Sequence, residues 1–170
     1  KAADSDFIVL DEDDPTITHF IASNVDIEYN VRRHESKFGP KAGRLQTADF
    51  PIHKFSTSLV QGEYNRANRD LELVQVSDIP GNNYFVSVGL TDDPMQDSLK
   101  FNGQKAYYGL DSMDIIVDSV REVRVADAII TPVDKQVIIG RDGYLKPLVD
   151  ATVEADQDDK LHKIYEATIQ

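Results

Sequence analysis

The sequence predicts an all-β fold, an antiparallel β-sandwich or barrel with an extended N-terminal arm. Three observations carry that reading. Apolar and polar residues alternate with period two in several stretches, the signature of half-buried strands. Gly-, Pro-, Asn- and Asp-rich clusters separate those stretches at short intervals: "IPGNN" (79–83), "TDDP" (91–94), "FNGQ" (101–104) and "GRDG" (140–143). Helical periodicity is nearly absent. We read residues 1–14 as an acidic arm or first strand and 15–170 as one β-rich domain without internal repeats.

Residues 1–14 place Asp4, Asp6, Asp11, Glu12, Asp13 and Asp14 around the apolar run Phe7, Ile8, Val9 and Leu10. Next, Val25, Ile27, Tyr29 and Val31 point one way and Asp26, Glu28 and Asn30 the other. Residues 32–44, "RRHESKFGPKAGR", carry Arg32, Arg33, Lys37, Lys41 and Arg44 with two Gly and a Pro, and read as an exposed basic loop. In "LELVQVS" the alternation Leu71–Leu73 slips to Val74–Val76, as a β-bulge would make it. Tyr84, Val86, Val88 and Leu90 form another one-sided row, and Val123 and Val125 lead into Ala128, Ile129 and Ile130.

"VIIGRDGYLKPL" (137–148) predicts a hairpin in which Asp142 and Gly143 supply positive φ. Pro147 cannot donate to a ladder, so the second strand lies at an edge or ends there. The last stretch, "DDKLHKIYEATIQ", fits a short helix capped by Asp158 or Asp159, with Leu161, Ile164 and Tyr165 on one face. It also fits a final strand with Tyr165, Ala167 and Ile169 inward. The β-branched Thr168 and Ile169 favour the strand.

Thirty acidic against eighteen basic residues give a net charge of -12. This argues against binding to nucleic acid or an anionic membrane, which requires a cationic face. No apolar run approaches the roughly 18 residues of a membrane-spanning helix, so no membrane insertion is expected. Without cysteine there is no disulfide, thiolate nucleophile or Cys-ligated metal. No G-x-S-x-G elbow, H-E-x-x-H pair or P-loop is present. His19, His34, His53 and His162 are scattered, which reads as packing or surface positions. No catalytic residue, cofactor or bound metal is therefore expected, and His53→Gln or His162→Gln should leave biological activity intact. Calcium is the one metal the sequence could suit, through "DEDD" (11–14) or "EADQDD" (154–159), where Asp156 and Asp158 have D-x-D spacing. The Gly and distal Glu of an EF-hand loop are missing, so solvated acidic turns are the plainer reading.

The span "VRVADAIITPVDKQVIIGRDGYLKPLVDA" resembles the small β-barrel module of tailed-phage head decoration (cement) proteins. The corresponding pieces are Val125–Pro132, Val137–Gly143, Tyr144–Pro147, an acidic loop 150–159 and a return strand 161–169. The resemblance implies a non-enzymatic virion protein that binds between capsid subunits, its partners being copies of itself, a major capsid protein, or both. Two alternatives stand beside it. One is an extracellular or cell-surface filament, pilin-like, in which "DFIVLDE" adds to a neighbour's sheet edge. The other is a carbohydrate- or ligand-binding module using aromatics such as Tyr107 and Tyr108. In either assembly a homo-oligomer is expected, with Phe7–Leu10 of one subunit against Arg32, Arg33, Lys37, Lys41 and Arg44 of the next. Deleting residues 1–14 would then leave a folded, assembly-deficient monomer. The competing expectation is that the arm folds back onto its own domain.

Overall fold

The computed structural model describes residues 1–41, 46–76, 83–88, 99–155 and 162–169. Among them there is no helix, and the strands form one antiparallel hydrogen-bonded sheet. In chain order these are β1 (Ala2–Leu10), β2 (Thr18–Asn30), β3 (Glu35–Pro40), β4 (Ala48–Phe50), β5 (Phe55–Thr57) and β6 (Gln61–Asn65). Then come β7 (Asp70–Val74), β8 (Tyr84–Ser87), β9 (Lys100–Asn102), β10 (Lys105–Gly109) and β11 (Asp114–Asp118). The last are β12 (Val123–Val125), β13 (Ala128–Thr131), β14 (Gln136–Ile139), β15 (Leu148–Ala155) and β16 (His162–Ile169).

The sheet order is β14-β11-β10-β7-β6-β3-β2-β4-β5-β8-β9-β12-β13-β15-β16, with β1 joined to β2. The barrel alternative is thereby corrected: the two ends, β14 and β16, do not pair, so the sheet is not closed. It is folded over instead. Phe50 on β4 and Tyr108 on β10 lie five strand steps apart, about 24 Å in a flat sheet at the usual strand spacing. Their ring centroids are 5.5 Å apart, which requires the two flanks to face each other.

The fold line is β2. Its first half pairs with β4 through Ile21 and Ala22, and its second half pairs with β3 from Val25 to Asn30. Asn24 between them has φ +56, a left-handed conformation that Asn tolerates better than most residues. The buried phase shifts there from Phe20 and Ala22 to Val25, and the register with β1 slips opposite. One strand can thus serve two flanks. An aromatic core fills the space between them. Phe7 stacks on Phe38 at 4.3 Å, Phe20 meets Phe50 at 5.1 Å, and Phe85 stacks on Phe101 at 5.3 Å. Each such side chain stabilises the fold by about 1.5–3 kcal/mol through burial alone.

Within the expected basic loop 32–44, 32–34 are a turn, but Glu35–Pro40 is β3, paired on both edges by β2 and β6. Arg44 lies outside the described residues, as do 91–94 and all of 79–83 except Asn83. The bulge expected in 71–76 is absent: β7 keeps unbroken register with β6 and β10 and ends at Val74. Tyr84 and Val86 of β8 and Val88 just after it face outward, Leu90 lies outside the described residues, and Phe85 and Ser87 are buried, because Phe85 stacks on Phe101. "FNGQ" is a turn, but not of a hairpin. β9 and β10 belong to opposite flanks, and the chain crosses between them at Gly103, where a Cβ would lie 2.2 Å from Val117 Cγ1.

The 137–148 hairpin forms only at its turn. Ile139 bridges Leu145, Gly143 N–H donates to Gly140 O and Lys146 N–H donates to Ile138 O. Gly143 alone has positive φ there, at +80; Asp142 does not, and instead accepts the Tyr144 N–H. Past Pro147 the chain leaves for the other flank, and β15 pairs with β13 and β16. Much of the expected acidic loop 150–159 is therefore strand; Asp156, Asp158, Asp159 and Leu161 lie outside the described residues. The C-terminal stretch is a strand, as the β-branched residues favoured, with Ala167 and Ile169 half-buried. Tyr165 is exposed rather than inward. Glu166, at φ +52, breaks the alternation after it.

Candidate assembly edges and a buried histidine centre

The expected subunit-contact residues divide sharply. β1 lies along β2 of its own chain, so the arm is its domain's first strand here rather than a free extension. Phe7 and Val9 are core residues, while Ile8 and Leu10 face outward. The opposite charges expected to meet between subunits meet within one: Lys41 Nζ is 3.3 Å from Asp4 Oδ2, and Lys37 Nζ is 3.0 Å from Glu63 Oε2. Arg33 reaches Glu35 at 4.0 Å, and the Arg32 N–H donates to Asn30 Oδ1. Exposed pairs of this kind contribute little, because solvent and salt screen them. What holds β1 is Phe7 on Phe38, not charge.

Among the described residues three strands have a partner on one edge only: β1 beside β2, and the two ends of the sheet, β14 and β16. β14 is short and closed off by the Leu145 bridge, whereas β16 runs from His162 to Ile169 with only β15 beside it. Ile164 and Tyr165 on β16 are 56% and 66% exposed, and Val149 on β15 is also exposed. Proteins commonly guard such edges with Pro, inward charges or a covering loop. Among the described residues nothing covers this one. Lys163 is turned aside to Glu154 Oε1 at 2.5 Å.

The acidic turn 11–14 is occupied by the chain itself. Asp11 Oδ1 accepts the N–H groups of Asp13 and Asp14, Asp14 holds Thr16, and Glu12 pairs with Arg66 and Arg69. The Asp14 N–H, then the His19 and Asp13 bonds, hold the Asp11 carboxyl below the usual range. No group of three or more metal-ligating side chains occurs among the described residues.

The structure also brings together residues that looked unrelated in sequence. His19 and Tyr108 are buried, and His19 Nδ1 lies 2.7 Å from the Tyr108 hydroxyl while Nε2 lies 3.1 Å from Asp11 Oδ2. An ionised Asp11 can only accept, so Nε2 must donate. In neutral His19 the Tyr108 hydroxyl then donates to Nδ1. Burial raises the Tyr108 pKa, which keeps that proton in place. His53 packs edge-on against both Tyr108 and Phe50, at 5.3 and 6.2 Å. Tyr108 is thus a core residue, not an exposed platform; of the two tyrosines proposed for carbohydrate stacking only Tyr107 reaches the surface. Chain separation hid this cluster, since His19 and Tyr108 are 89 positions apart. The available signal was two histidines beside apolar residues, His19 before Phe20 and His53 after Ile52, too weak to join them.

Tyr108→Phe is expected to lower stability by about 1–3 kcal/mol, because it leaves the buried His19 Nδ1 without its donor. In a chain of this length that is a fall of roughly 2–4 °C in melting temperature per kcal/mol, readable by calorimetry. A variant that melts with the wild type would show the bond to be idle. Compared with protein-family models, curated proteins and solved structures, the chain matches none.

Proposed function

We propose that this chain is a non-enzymatic structural subunit of a repeating assembly, joined to neighbouring copies through its open sheet edge. The observation that carries this is β16, a long exposed edge strand with apolar side chains on both faces. Unpaired N–H and C=O groups there would gain partners from an added strand, and Ile164, Tyr165 and Val149 would gain buried area. The resemblance of residues 125–169 supports a virion shell as the assembly, with the chain as a decoration protein between capsid subunits. The reading without catalysis is supported by the burial of His19 and Tyr108, whose hydroxyl no substrate reaches in this conformation.

A second reading, a surface filament grown by strand addition, is favoured by the same edge. Pairing β16 of one copy with a different edge of the next is a head-to-tail contact, and such contacts propagate without closing unless their rotation closes a ring. Electron microscopy of the native assembly separates the two as icosahedral shell or helical filament. The common claim is tested by replacing Ile164 and Tyr165 together with Lys. Both side chains are exposed, so circular dichroism and melting should be unchanged, while sedimentation should show assembly only at about tenfold or higher concentration, equivalent to about 1.4 kcal/mol. Assembly at the wild-type concentration would remove β16 from the contact.

A further inference from the structure

His53 is 0% exposed and sits where the two flanks are bolted together. It belongs to the turn Pro51–Lys54 between β4 and β5. Its Nε2 lies 2.8 Å from the Met113 carbonyl, in the turn between β10 and β11 on the opposite flank. Its own carbonyl packs against Gly143, where a Cβ would come within 2.6 Å of that oxygen. Three turns from both flanks therefore meet on one residue.

The hydrogen bonding of this ring is one-sided. A carbonyl can only accept, so Nε2 carries the proton and Nδ1 presents a lone pair. That Nδ1 is buried and has no hydrogen-bond partner. We propose that His53 is a proton-operated latch: closed while Nδ1 is bare, and released when a proton there creates a buried cation with no acceptor.

The groups facing the ring leave it no other remedy. From β2 comes His19, which adds positive charge if protonated, and from β10 the un-ionised Tyr108. Asp114 of β11 and Asp142 of the Gly140–Gly143 turn favour the cation through space, but neither is bonded to the ring. Asp114 is engaged by Lys146 Nζ at 2.6 Å. Burial is the largest influence and holds the His53 pKa below its ordinary value. The sign follows. Between that lowered pKa and about 6.5 the opened state binds more protons than the closed one, so closure is fully favoured above about pH 6.5 and weakens as pH falls. Opening would part the Met113 and Gly143 turns from β4 and β5, loosening one flank against the other. His19 is a contrast, since both of its nitrogens have partners.

Amide hydrogen exchange on the full chain, corrected for intrinsic rates, tests this between pH 7.5 and 5. Protection at Met113 and Gly143 should fall by an amount bounded at about tenfold per pH unit, while Val123–Val125 and Ala128–Thr131 hold theirs. In His53→Gln, which can still donate to the Met113 carbonyl but cannot titrate, seam protection should be independent of pH. If that variant does not fold, the wild-type His53 ring resonances decide. They should keep their neutral shifts until the seam opens. A variant with the same fall as the wild type, or a His53 that protonates with seam protection intact, overturns the latch.

Discussion

Gly143→Val is expected to cost about 3 kcal/mol or more, a drop of roughly 6–12 °C in melting temperature. Two effects add. A side chain at φ +80 is strained by about 1–2 kcal/mol, more for a β-branched one. The new Cβ also falls 2.6 Å from the His53 carbonyl oxygen, a backbone atom held between two strands that cannot step aside. The consequence reaches beyond the turn, since this is where the Gly140–Gly143 segment closes on the other flank. Gly140→Ala is the natural control. Its Cβ would meet the movable Asp142 side chain at 3.1 Å, and the expected loss is below about 1 kcal/mol. Equal melting of the two variants would show that the seam does not bear on stability.

Removing β1 should have a still larger effect. Deleting residues 1–10 takes Phe7 and Val9 from the core and leaves Phe38, Phe20 and Tyr64 facing water. Loss of one buried Phe alone costs about 3–5 kcal/mol. With Val9 and the β1–β2 ladder gone as well, the deficit approaches the 5–15 kcal/mol that typically separates folded from unfolded chains. The truncated protein is expected to be unfolded or loosely packed, with weak near-ultraviolet dichroism, rather than a folded monomer defective only in assembly. A synthetic peptide of residues 1–14 should restore the native spectrum by reoccupying the groove along β2. A truncated chain that melts like the full one would mean that β1 contributes nothing to its own domain.

The fold class was legible because strand periodicity and turn chemistry are local. Alternation from Val25 to Tyr29 identified β2, and Gly143 identified its turn. Periodicity shows that side chains alternate, not which face is inward. Tyr84 and Val86 looked like core partners, yet the ring stack of Phe85 on Phe101 of the neighbouring strand β9 decides the matter. The same holds for the basic stretch around Lys37. Its Gly and Pro suggested a loop, but Phe38 has Phe7 to stack on, and that contact makes the segment a central strand. Crossings between flanks, such as that at Gly103, leave no local trace because a hairpin turn and a crossing turn use the same residues. The histidine centre was invisible for a related reason: nothing near His19 or His53 in sequence announces Tyr108.

If β16 joins neighbouring copies, its backbone amides report on that directly. Hydrogen exchange of the native assembly, compared with the dilute subunit, should show new protection at alternate amides from His162 to Ile169, those pointing away from β15, with little change in β7 or β10. Unchanged exchange along β16 in the assembled state, with protection arising at another surface, would contradict it.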